Sequence, residues 1–155
     1  MPKTRIYLDT SVLSGYYADD SPEKRDITRK FFDEIFGGEY EAVISLLVLE
    51  EIGKAPETKK TKMLKLIDEY GIGTVSITEE AENLADAYVK DGIIPMKYRE
   101  DAVHIASAVT GKVQILISWN MKHMVKLKTI NGVNSINIQA GHPEIDLRTP
   151  EEMLP

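Results

Sequence analysis

Residues 5–13 read Arg5-Ile6-Tyr7-Leu8-Asp9-Thr10-Ser11-Val12-Leu13. A short apolar run ends at three residues that favour helix N-caps, and apolar residues then resume. The stretch predicts a strand, Arg5–Leu8, that breaks directly into a short helix at Val12-Leu13. An acid at the end of a buried strand is a place where α/β folds carry out chemistry.

The same alternation continues along the chain. Ser21-Pro22-Glu23 is a strong helix start, followed by a stripe of Ile27, Phe31, Phe32 and Ile35 that Gly37-Gly38 ends. Ala42–Ser45 predicts a second strand. Leu46–Ile52 predicts a helix with Glu50 and Glu51 in it, stopped by Gly53 and Pro56. A basic helix follows over Thr58–Tyr70, with Met63, Leu64 and Ile67 as its apolar face, and then a third strand, Thr74–Ile77. Thr78-Glu79-Glu80 opens a helix striped by Ala81, Leu84, Ala85, Tyr88 and Val89. Arg99–Thr110 predicts a helix whose small residues allow close packing, and Val113–Ile117 a fourth strand. Beyond it the pattern predicts a short basic helix, Met121–Leu127, a turn at Asn131-Gly132, a last strand at Ser135–Ile138, and a loop-like tail from Gly141 with a short helix start at Thr149-Pro150-Glu151-Glu152. Strands alternating with helices predict an α/β fold: a parallel sheet of four to five strands with helices on both faces.

The chain has 155 residues, enough for one core, so one domain is expected, with its core over about 4–139 and a tail over 140–155. Its 25 acidic and 19 basic residues leave a formal charge of −6. Bulk charge does not suit it to holding nucleic acid, so any such role needs a local basic patch or a bound cation. With no cysteine, disulfides, thiolate metal sites and cysteine nucleophiles are excluded. The longest apolar stretch, Ala42–Leu49, falls far short of the ~20 residues that span a bilayer. The expectation is a soluble, cytoplasmic protein without a membrane partner.

Asp9, Glu50 or Glu51, and Asp101 come from three separate segments: Asp9 ends the first strand, Glu50 or Glu51 lies in the helix right after the second, and Asp101 starts the small-residue helix. In a parallel sheet these places meet at one edge, and Asn120 after the fourth strand reaches the same edge. Converging carboxylates repel one another unless protons or a cation neutralise them. An oxygen-only cluster suits Mg²⁺ or Mn²⁺. Taken singly, each acid also has an ordinary explanation: Asp9 as an N-cap, Glu50-Glu51 as a solvated pair, Asp101 as an acid favoured by a helix dipole. His104, one helical turn from Asp101, reads as a packing residue, and nothing recommends His142. No His–acid–Ser set has usable spacing, and Gly71-x-Gly73 lacks the rest of a phosphate loop. The basic segments 54–65 and 122–128 are solvated helix faces or a track for an RNA backbone, the second being better placed because it follows Asn120. Tyr16, Tyr17 and Trp119 are candidates for stacking on bases.

Four strings, YLDTSVL at 7–13, ISLLVLEEI at 44–52, REDAVHIASAV at 99–109 and ILISWNMKHM at 115–124, resemble in order and spacing the landmarks of the PIN-domain nuclease family, and of VapC-type toxins in particular. The resemblance runs from about residue 4 to about residue 139. It implies a PIN-like fold and a Mg²⁺- or Mn²⁺-dependent endoribonuclease, the toxin of a toxin–antitoxin pair. It aligns Asp9 with the family's first acid, Glu51 with its second (Glu50 being the alternative) and Asp101 with its third. These three would hold the metal, with Glu51 holding it or orienting the water. Asn120 stands where many members carry Asp, which favours one metal over two, and Ser118 joins it in positioning phosphate or water. Lys122, Lys126, His123 and Thr10 are the candidate RNA contacts. The implied partners are RNA, tRNA among the candidates, a small antitoxin protein, and a second copy of the chain.

Three rival readings remain. A catalytically inactive PIN-like module would bind RNA or protein without needing a divalent metal. A phosphate-accepting receiver domain would need a second acid beside Asp9. A DNA-directed nuclease fits the same charge pattern.

Overall fold

The computed structural model describes residues 3–155. Its strands are β1 (Thr4–Leu8), β2 (Tyr40–Ser45), β3 (Gly73–Val75), β4 (Ile115–Ile117) and β5 (Asp146–Arg148). They pair in the order β3-β2-β1-β4-β5, every pair parallel. The helices are α1 (Thr10–Gly15), α2 (Pro22–Ile35), α3 (Leu46–Gly53), α4 (Glu57–Glu69), α5 (Glu79–Lys90), α6 (Arg99–Thr110) and α7 (Leu127–Gln139). The α/β architecture expected from the alternating pattern is the one present. Among the described residues no helix is long and apolar enough to cross a membrane.

β1 lies at the centre because it can be buried on both sides. Ile6, Tyr7 and Leu8 are all fully enclosed, as an interior strand of a parallel sheet requires. From β1 the chain winds first one way, to β2 and β3, and later the other way, to β4 and β5. The reversal falls at the carboxyl ends of β1 and β4, the place where open α/β sheets bind ligands. Leu8 pairs with Ile117, so the residues that follow these strands emerge side by side. α6 is buried on nearly every face, from Ala102 to Val109. Its alanines let it pack closely, above all against α5.

The C-terminal third departs from the sequence pattern. Residues 121–126 form turns rather than a basic helix. Ser135–Ile138 lies in α7 rather than in a strand, and the last strand is β5, inside the segment read as a loop. The alternation Ser135-Ile136-Asn137-Ile138 imitates a strand, but the enclosed residues are Thr129, Val133, Ile136 and Asn137, which have helical spacing. Asn131-Gly132 is not a turn. Gly132 sits inside α7 because a Cβ there would come within 2.9 Å of the Ile93 side chain. In α4 the enclosed residues are Met63 and Leu66, while Leu64 faces outward. β3 and β4 are each shorter than the apolar runs that signalled them.

α7 is fastened to α5 by a buried hydrogen bond in which the Tyr88 hydroxyl donates to Asn137 Oδ1. Tyr88→Phe leaves that oxygen without its donor and is expected to lower stability by about 1–2 kcal/mol. Urea denaturation checks this, and an unchanged midpoint would contradict the helix–helix contact.

Candidate active site

Asp9 is the residue after β1 and the N-cap of α1. Its Oδ1 accepts from the Ser11 backbone N–H at 3.1 Å and from the Ser11 hydroxyl at 2.5 Å. Its Oδ2 accepts from the Ser118 hydroxyl at 2.8 Å. The capping role and the place at the carboxyl end of β1 therefore coexist in one side chain, which is 5% exposed. Burial raises the Asp9 carboxyl above its ordinary value. The charge of His104 and the bonds from Ser11 and Ser118 pull the other way, and the charge of Glu51 adds to the rise.

The segment after β4 links Asp9 to the next acid. Ser118 is held by its backbone N–H, which donates to Arg148 O of β5 at 2.9 Å. The Ser118 Oγ also accepts from the Asn120 backbone N–H at 2.9 Å. Asn120 Nδ2 donates to Asp101 Oδ2 at 3.2 Å, and its Oδ1 accepts from the His123 backbone N–H at 3.0 Å. Asp9 and Asp101 are thus joined through the Ser118 hydroxyl and the backbone N–H and side-chain amide of Asn120, all of them neutral. Asp101 stands in the first turn of α6. Burial raises its carboxyl; His104 opposes the rise, the charge of Asp9 adds to it, and His123 and Asn120 oppose it again.

Glu51 stands to one side of this pair. Its Oε1 accepts from Thr10 Oγ1 at 2.5 Å and from His104 Nε2 at 2.7 Å. Burial works to raise the Glu51 carboxyl, but the bond and charge of His104 and the bond from Thr10 bring it below its ordinary value. Burial likewise works to lower the His104 imidazole, and Glu51, Asp9 and Asp101 together raise it. Glu50, the neighbour in sequence, is exposed.

The remaining candidates lie around this centre. Thr10 contacts Glu51 directly. The His123 ring stacks on Tyr98 with centroids 4.0 Å apart. Lys122 and Lys126 are exposed on the turns that follow Asn120. The aromatic candidates for base stacking are occupied within the fold. Trp119 Nε1 donates to Thr28 of α2 at 2.9 Å, with Lys24 over its ring. Tyr16 packs edge-on against Phe32 and beneath Arg29, and Tyr17 packs against Tyr16. Sequence reasoning set His104 aside as packing and passed over Tyr7. Their signal was positional: His104 is three residues from Asp101, on the same helical face, and Tyr7 precedes Leu8-Asp9.

The groups free to meet a cation here are carboxylate oxygens, and among the described residues no basic side chain is bonded to either of the raised carboxyls, Asp9 and Asp101. That chemistry fits a hard divalent cation of the Mg²⁺ kind, which is held by one or two carboxylates and keeps several waters. It does not amount to a closed cage: among the described residues, no three His, Asp or Glu side chains gather closely enough to hold a metal together.

The charge on Asp101 has a cost that pH reveals. A carboxyl whose folded pKa lies above its ordinary 3.8 loses nothing below that pH; the penalty grows as pH rises from 3.8 to the folded value and is present in full above it. Asp101→Asn is therefore expected to raise the melting temperature of the metal-free protein at pH 7, by on the order of 2–4 °C. The gain shrinks toward acid pH. A lower melting temperature at pH 7 would contradict the charge strain.

No family model matches the sequence, and no curated protein matches it. Solved structures do match its fold. The chain is similar to a protein in the crystal structure of VapBC2 from Rickettsia felis bound to a promoter DNA fragment, at 12% identity and a TM-score of 0.60, covering 94% of this chain and 98% of that one. It is similar to a chain of a toxin–antitoxin complex from Klebsiella pneumoniae, at 17% identity and a TM-score of 0.56, covering 76% and 88%. It is also similar to Mycobacterium tuberculosis VapC20, a toxin that cleaves the sarcin–ricin loop, at 12% identity and a TM-score of 0.56, covering 76% and 92%. At these identities the likeness is one of fold, and the chain has the α/β fold of the PIN-domain VapC toxins.

Proposed function

We propose that the protein is a metal-dependent endoribonuclease of the VapC toxin type. The observation that carries this reading is the meeting of Asp9 and Asp101, through Ser118 and Asn120, at the carboxyl ends of β1 and β4 in a VapC-like fold. Asp9 and Asp101 would hold Mg²⁺ or Mn²⁺. When bound, the ion supplies a Lewis acid for the scissile phosphate and offsets the negative charge that phosphate and protein share.

The chain's own residues supply position. Ser118 and Asn120 keep the two carboxylates in place, and Asn120, being neutral, adds no charge to attract a second ion. Glu51 is held ionised and is a weak base, so its role is to orient the attacking water by accepting a hydrogen bond rather than to take up its proton at the outset. Lys122 and Lys126 lie close in sequence to Asn120, where they would meet the RNA backbone, with His123 and Thr10 nearer the centre. A small antitoxin protein is the expected partner, because the Rickettsia felis and Klebsiella pneumoniae neighbours come from toxin–antitoxin complexes. Pairing with a second copy belongs to the same reading.

The test is cleavage of total tRNA and of ribosomal RNA by the purified chain. Cleavage should need millimolar Mg²⁺ or Mn²⁺ and stop on chelation. Asp101→Asn and Glu51→Gln, checked for folding by circular dichroism, should each slow it by about 100-fold or more. Cleavage indifferent to chelation would contradict the proposal. RNA binding that needs no divalent ion, without cleavage, would favour the inactive binding module.

A further inference from the structure

His104 is 2% exposed, and both of its ring nitrogens are engaged. Nδ1 lies 2.7 Å from the Tyr7 hydroxyl, and that hydroxyl lies 2.7 Å from Ser45 Oγ. Nε2 lies 2.7 Å from Glu51 Oε1. The bonds form an unbroken line from Ser45 at the end of β2, through Tyr7 in β1 and His104 in α6, to Glu51 in α3. Four elements separated in sequence are tied at one place. An apolar side chain would fill the same volume without having to satisfy two ring nitrogens. The polar ring is therefore explained by what it holds rather than by the space it fills.

Hydrogen-bond chemistry fixes the sense of the line at its far end. Glu51, ionised, only accepts, so Nε2 must carry a proton. That proton is present both in the neutral ring, where Tyr7 donates to Nδ1, and in the imidazolium, where Tyr7 accepts from it. In either state Nε2–H donates to Glu51. Thr10 donates to the same carboxylate oxygen from the α1 side, so Glu51 is held from two directions.

We propose that His104 is a positioning residue of the site: through Nε2–H it fixes the Glu51 carboxylate, and Tyr7 and Ser45 fix His104. This rests on the ribonuclease reading for its effect on the reaction, but the hydrogen-bonded line is testable without it. The role differs from metal ligation and from contact with RNA, since His104 is enclosed and its hydrogen bond to the site's carboxylates is made to Glu51.

Two substitutions separate holding from packing. Gln at position 104 brings an amide nitrogen near the place of Nε2, whereas Asn reaches only the place of Nδ1. In single-turnover cleavage of total tRNA with Mg²⁺, His104→Asn should lower the rate at saturating RNA by about 10–100-fold. The RNA dissociation constant should not change. His104→Gln should restore most of the rate. His104→Asn combined with Glu51→Gln should be no slower than Glu51→Gln alone, because both act through one group. Full activity in His104→Asn, or losses that multiply in the double variant, would overturn the proposal. Tyr7→Phe, which keeps the ring and removes the hydroxyl, gives the same test should His104→Asn fail to fold: it is expected to slow cleavage, and an unchanged rate counts against the line.

The readout that needs no activity is long-range ¹H–¹⁵N correlation on the His104 ring at pH 7. Nε2 should carry a proton, and its resonance should shift in Glu51→Gln. An Nε2 without a proton would overturn the proposal. A protonated Nε2 that shifts in Glu51→Gln, in a protein that cleaves no RNA under any metal condition, would uphold the hydrogen-bonded line and sink the ribonuclease reading instead.

Discussion

A carboxylate buried at the end of the central strand is the constraint on which the site depends. Asp9 follows three fully enclosed residues and is itself almost enclosed. Water cannot solvate it, so the chain must. Ser11, in the first turn of α1, supplies a backbone N–H and a hydroxyl, and Ser118, just after the neighbouring strand, supplies a second hydroxyl. These donors are neutral and leave the negative charge in place. That is a costly way to use an acid in a fold.

The rest of the site follows from where β1 sits. Because the sheet winds away from β1 in both directions, α1, α3, α6 and the turn after β4 all arrive at its carboxyl end. Two sorts of carboxylate result. Among the described residues Asp9 and Asp101 are bonded only to neutral groups, and burial pushes both toward protonation. Glu51 is bonded to a histidine and a threonine and is pushed toward ionisation. Environments that move acids apart in this way assign them different work. The raised pair suits a cation and the lowered one a fixed acceptor.

Much of this was legible in the chain. The strands that carry the site are apolar runs ended by polar residues, so β1, β2 and β4 announced themselves, and with them Asp9, the helix bearing Glu51, and Ser118. Asp101 was legible from its place in the first turn of a helix rich in small residues. The choice between Glu50 and Glu51 was not, because helical phase depends on which face of α3 meets the sheet. Nor were α7 and β5. Four residues of apparent alternation and an Asn-Gly pair mask the helical spacing of Thr129, Val133, Ile136 and Asn137, and the tight approach of Ile93 to Gly132 is invisible in one dimension. β5 is three residues long and joins the sheet at its edge by pairing with β4. The line through Tyr7 and His104 was hidden for a related reason. Its members lie 97 residues apart and meet only when β1 and α6 pack.

The central claim is that Asp9 and its neighbours form a site for a divalent cation. It is tested most directly by following the melting temperature of the wild type and of Asp9→Asn as Mn²⁺ is raised from zero to millimolar concentration. An ion that binds only the folded protein raises its stability once the concentration passes the dissociation constant. The account predicts a rise in the wild type and none in Asp9→Asn. A flat response in the wild type, or equal rises in both proteins, would contradict it.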